Sequence, residues 1–162
     1  MHTLKTESDD KYLTQRAFYT LSWTWGLLMN IIGILVIFFI EIYSIIRYKN
    51  IIRFKKCGWC YYLAVGSSCW GGLELGMFFL TDKSEHISTK WHEHGHAIQN
   101  CYLGLLMPLL VSIPSAIRYW YREFKFYRRG LTPPTLYSAI WFEKQADQLG
   151  RIYRKAIEYG KI

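Results

Sequence analysis

A chain of 162 residues is long enough for one compact unit, and no internal repeat, low-complexity tract or domain linker divides it. Aromatic residues reach 18%, with seven Trp and thirteen Tyr, more than a soluble domain usually carries, which points to a bilayer interface. The four cysteines make no disulfide framework.

Residues 17–46 come first. From Gly26 to Ile40 there is no charge before Glu41, and the run meets the ~20 apolar residues of a bilayer span. Trp23, Trp25 and Tyr19 at one end and Tyr43 and Tyr48 at the other read as aromatic belts. A cleaved signal peptide is the rival reading, but Glu7, Asp9 and Asp10 precede the run and no small-x-small cleavage site follows, so the helix is expected to stay. A basic loop, residues 47–56, leads to Cys57-Gly-Trp-Cys60. That spacing suits a redox pair or half a zinc site, yet Cys69 and Cys101 supply no matching half, and ordinary thiols are the simpler reading.

Residues 58–80 read as a second transmembrane helix. Gly66, Gly71, Gly72 and Gly76 with Ser67 and Ser68 are the small residues that let such helices approach closely. Glu74 inside this run is costly in hydrocarbon and should face a partner or polar cavity, with a role beside a metal as the functional alternative.

Residues 88–102 carry His92-Glu-x-x-His96. Residues four apart share a helical face, so two imidazoles can bind one metal while Glu93 faces its open side as a base. His94 lies on the far side of the helix and should not reach that metal. His86 and His2 read as solvated. Gln99, a turn after His96, could bind backbone near the site or serve packing alone. Residues 103–117 are short for a span and interrupted by Pro108 and Pro114, which favours a re-entrant or interfacial segment. Arg118, Arg122, Lys125, Arg128 and Arg129, interleaved with aromatics, then suit anionic headgroups; no nucleic-acid recognition motif accompanies them. After Pro133-Pro134, Thr135 can cap a last helix over 135–159 that places Glu143 and Asp147 on one face.

A hydrolytic zinc site takes three protein ligands and leaves a position open, and its histidines are oriented by further acceptors. His92-Glu-x-x-His96 with Glu143-x-x-Ala146-Asp147 resembles the gluzincin metallopeptidases, and most of all the membrane-embedded branch holding the CAAX prenyl proteases and heat-shock membrane proteases. The resemblance covers two short motifs in a chain much shorter than those enzymes. It implies Zn²⁺ held by His92, His96 and Glu143, Glu93 as catalytic base, and Asp147 orienting a ligand histidine. No residue is assigned to oxyanion stabilisation; Tyr153 is one tyrosine among thirteen.

The expected fold is therefore all-α: an integral membrane protein with two transmembrane helices and a zincin-like helical catalytic part in one domain. Lys and Arg counts balance equally for two spans or three. Sharing one zinc between His92 and Glu143 selects two spans, a multi-pass membrane location and a cytoplasmic site, with residues 47–56 outside. The expected activity is zinc-dependent hydrolysis of peptide bonds in membrane-associated substrates, with lipid as partner and no nucleic acid. The alternatives are a catalytically inactive membrane module binding a partner or metal, and a transporter using Glu41 and Glu74.

Overall fold

The structure is a computed structural model that describes residues 12–67, 70–160 and 162. His2, Ser68, Cys69 and the acidic residues ahead of the first helix lie outside the described residues. Helices dominate: α1 (Gln15–Trp23), α2 (Leu27–Tyr48), α3 (Ile87–Leu103), α4 (Ile113–Lys125) and α5 (Trp141–Glu158). Between α2 and α3 stand four strands, β1 (Lys55–Cys57), β2 (Cys60–Ala64), β3 (Gly72–Leu75) and β4 (Phe78–Thr81).

The strands correct the all-α expectation and remove the transmembrane helix expected over 58–80. They form one mixed sheet in the order β1-β2-β4-β3, with β2 and β4 parallel and the two hairpins antiparallel. Of the glycines read as helix-packing residues, Gly72 lies in β3 and Gly66, Gly71 and Gly76 have positive φ. Gly58 (φ 56°) turns the β1–β2 hairpin and Gly76 (φ 79°) the β3–β4 hairpin, and left-handed backbone of this kind has no place inside a helix. Tyr61-Tyr62 of β2 and Phe78-Phe79 of β4 pair in parallel across the middle of the sheet, and Tyr62 stacks on Phe79 with ring centroids 5.0 Å apart.

Among the described residues α2 alone is a single helix long and apolar enough to cross a membrane, and a multi-pass arrangement is not supported. One face of α2 is covered along its length. Met29 packs with Met107 and Phe142, while Ile37 packs with Leu63, Leu75 and Leu80 of the sheet. Gly33 admits the Leu75 carbonyl, and Asn30 accepts the Met77 N–H at 2.8 Å while donating to Ser22 O at 2.8 Å.

α3 is the central helix, buried almost all round from Glu93 to Cys101. Past it the chain bends by 115° between 87–106 and 108–129. Pro108 opens the new helical stretch, and a π-helical turn over Pro108–Ser112 precedes Pro114, so neither proline interrupts regular α-helix. The last helix begins at Trp141, later than expected, because residues 131–140 form a loop clamped to α4. Arg118 donates to Leu136 O and Arg122 to Thr135 O, each at 2.8 Å.

Candidate metal centre

The site is built where α3 and α5 touch backbone to backbone. A Cβ on Gly95 would overlap the Ala146 carbonyl, and one on Gly150 would overlap the Trp91 carbonyl. With no side chain at either position the helices close up, and the first turn of α5 presents Glu143 to the one-turn-spaced His92 and His96.

Glu143 Oε2 lies 3.0 Å from His92 Nε2 and 3.4 Å from His96 Nε2, and the two Nε2 atoms are 3.1 Å apart. The other ring nitrogens determine what these atoms can do. His92 Nδ1 is 2.8 Å from the Asp147 carboxylate, an acceptor only, so Nδ1 donates. Gln99 donates from Nε2 to Phe142 O at 2.9 Å, which leaves its Oε1 to accept from His96 Nδ1 at 2.7 Å. As neutral imidazoles, both would therefore turn unprotonated Nε2 atoms toward the buried Glu143 Oε2. Two nitrogen lone pairs and one anionic oxygen facing one another within 4.8 Å are a donor set for a cation, and His92, His96 and Glu143 could hold a metal ion. Without a metal a proton must stand in. Burial opposes charge on His92, but Asp147 and Glu143 outweigh it and raise its pKa to about 10. Burial likewise opposes charge on Glu143, and the histidines and Ser115 override it, holding the carboxyl well below its usual range.

Glu93 lies beneath the sheet edge. The Glu74 backbone N–H donates to its carboxylate, and burial, only partly offset by His92 and His96, holds it above the usual carboxylate range. A Cβ on Gly72 of β3 would meet the Glu93 carboxylate, so this position too depends on an absent side chain. Glu74 is buried and accepts from Gly76 N–H; burial pushes its pKa up to about 8, with Glu93 adding to the effect. It borders Glu93 through its backbone and is not among the ligand group.

The first-motif residues and the Glu143–Asp147 pair thus come together, as the resemblance implies. Gln99 turns out to orient a ligand ring, as Asp147 does. Sequence reading missed Ser115, whose hydroxyl donates to Glu143 Oε1, and Tyr137, whose hydroxyl lies 3.0 Å from Ser115 Oγ. Neither carries a motif, since both act across a fold from unpatterned segments. The remaining candidates are structural. His94 is enclosed by Phe18, Trp59, Trp91 and Tyr153, and burial lowers its pKa to about 3. Cys57 and Cys60 face each other across a hairpin as buried free thiols, and burial raises the pKa of both. Tyr153 accepts Leu13 N–H at 2.8 Å, and exposed His86 bonds Ser88.

A groove of about 840 Å³ opens beside His92, lined among others by Trp91, Leu136, Lys144, Asp147 and Arg151. No family model matches the chain, and no curated protein or solved structure is significantly similar to it.

Proposed function

We propose that this chain is a membrane-associated zinc metallopeptidase that hydrolyses peptide bonds of membrane-bound proteins or peptides near the cytoplasmic face. The observation that carries the reading is the convergence of two oriented Nε2 atoms and Glu143 Oε2 beside a buried Glu93 that no ion pair consumes. Zinc suits this His₂Glu set; when bound it would act as a Lewis acid on a carbonyl and lower the pKa of a water ligand toward ~7. Asp147 and Gln99 hold the imidazoles in the ligating tautomer, and Ser115 holds Glu143. Glu93 accepts the proton of the attacking water on its carboxylate and returns it to the leaving amine. Tyr137 keeps its proton at neutral pH, its pKa raised by burial to about 12, and it lies against Ser115, which holds Glu143. The groove beside His92 gives a peptide room.

The exposed apolar side of α2 supports a membrane location, and the net charge of +8 supports an anionic, cytoplasmic leaflet as lipid partner. Nucleic acid is not a partner in this reading.

The test is metal analysis of detergent-purified protein, parent and Glu93→Gln, with cleavage of added membrane peptides read by mass spectrometry. The expected result is one zinc in both and a loss of roughly 10²–10⁴-fold in turnover for the variant. Zinc in both with no cleavage by the parent would favour the inactive binding module instead. A Glu143→Ala variant that kept its zinc would remove the ligand set.

A further inference from the structure

The course of the chain around α2 carries an inference independent of the catalytic reading. With 22 residues, α2 is about 33 Å long at ~1.5 Å per residue, enough to cross a bilayer core. A crossing helix delivers the following segment to the far side. Here that segment turns straight back along the helix: Ser44 Oγ donates to Asn50 O at 2.8 Å, and Ile52 N–H donates to Glu41 Oε2 at 3.1 Å. Ile52 then packs in the cluster of Ile37 and Leu63. By Trp59 the chain has returned to α1, the helix that precedes α2. The Trp59 and Phe18 rings are 5.5 Å apart, and the Tyr19 hydroxyl donates to Trp59 O at 3.1 Å.

If α2 crossed, residues 51–57 would therefore recross the hydrocarbon as extended chain. β1 is an edge strand, with one row of backbone groups outside the sheet, and Arg53, Lys55 and Lys56 are exposed. Lipid tolerates neither open strand edges nor exposed cations at that depth.

We propose that α2 lies within one leaflet, along the membrane plane, and that the protein docks on a bilayer rather than passing through it. The docking face is the uncovered side of α2, where Ile31, Leu35, Phe38, Phe39, Ile42 and Ile46 are exposed. Residues 104–106 adjoin α2, with Leu105 and Leu106 exposed, and Ile113, Ile117 and Trp120 are further exposed apolar residues on α4. Exposed cations accompany these apolar residues, Arg47, Lys49 and Arg53 at and after the C-terminal end of α2, and Lys125, Arg128 and Arg129 at and after that of α4. The acids of the two helices are engaged, Glu41 by Ile52 and Glu123 by Arg128. An apolar face accompanied by cations matches a leaflet containing anionic lipid.

The test places single cysteines at Thr14 and Asn50, both exposed and on opposite sides of α2 in sequence, in a Cys69→Ser chain that keeps the buried Cys57, Cys60 and Cys101. Cells are treated with an impermeant maleimide before and after freeze–thaw lysis without detergent. The same behaviour at both positions is expected, unreactive before lysis and reactive after. Opposite behaviour would mean that α2 crosses, and an Asn50 cysteine reactive only in detergent would put the turn in hydrocarbon; either result overturns the proposal. Independently, Leu35→Asp/Phe38→Asp should lower flotation with phosphatidylcholine–phosphatidylglycerol vesicles at least ~10-fold, with weaker binding of the parent to phosphatidylcholine alone. Undiminished flotation of a folded variant would also overturn it.

Discussion

Two contacts organise this molecule, and they are made in opposite ways. α3 and α5 meet at Gly95, Ala146 and Gly150, with backbone against backbone and a polar network around Glu143. α2 meets the sheet through branched aliphatic side chains, Ile37, Leu63, Leu75 and Leu80, and leaves its other side bare. The first contact has little slack, because it must hold three donor atoms to tenths of an ångström. The second needs only apolar volume, which repacks when altered. The polar cluster and the apolar packing are thereby separated within one small chain.

The sharpest way to break this contrast is at the helix crossing. Gly150→Leu puts a branched side chain where the Trp91 carbonyl lies. Zinc binding should be lost altogether and the melting temperature should fall, both read on purified protein by metal analysis and circular dichroism. A Gly150→Leu protein with its full zinc content would mean that the crossing does not position the site.

In the apolar contact, Leu63→Ala leaves a cavity in a fully buried position and should cost ~2–5 kcal/mol of stability. The folded fraction should bind zinc with parental affinity, as measured by competition with a chelator. A matching drop in zinc affinity would show the two contacts to be coupled.

Asp147→Asn tests the polar network at finer grain. The amide can still face His92 Nδ1 but no longer demands that it donate, and zinc affinity or turnover should fall by roughly 10–100-fold. A change in stability without a change in metal affinity would make Asp147 a packing residue.

The smallest effect is expected at Glu74, which borders both regions. Burial raises its folded pKa to about 8, against an ordinary carboxyl in the unfolded chain. Between ~4.5 and 8 the unfolded chain has already lost this proton while the folded protein keeps it, so stability falls as pH rises through that window. Glu74→Gln removes the titration and should melt higher than the parent at pH 8, with the gain shrinking toward pH 5. Parallel melting profiles across that range would show that Glu74 does not hold a proton in the fold.

The candidate metal site was legible because its information is local. His92 with His96 and Glu143 with Asp147 are each one helical turn apart, and a helix turns that spacing into a shared face whatever the rest of the chain does. The sheet was not legible, because apolar content over residues 58–80 is compatible with a span or with strands, and glycine serves close helix packing as well as left-handed turns. What decides is whether Gly58 and Gly76 adopt positive φ, and that depends on Asn30 and Trp91 waiting across the fold to pack against them.

By itself, then, the sequence determined an apolar helical run over 17–46, which the structure divides into α1 and α2, the His-Glu-x-x-His face and the carboxylates that could answer it, since these depend on periodicity within one element. Only tertiary structure decided that Gln99 and Ser115 serve the ligands, that Gly72, Gly95 and Gly150 are sites of close approach, and that the chain doubles back beside α2. Each of those is a contact between segments far apart in the chain, and no local pattern encodes which distant surface a residue will meet.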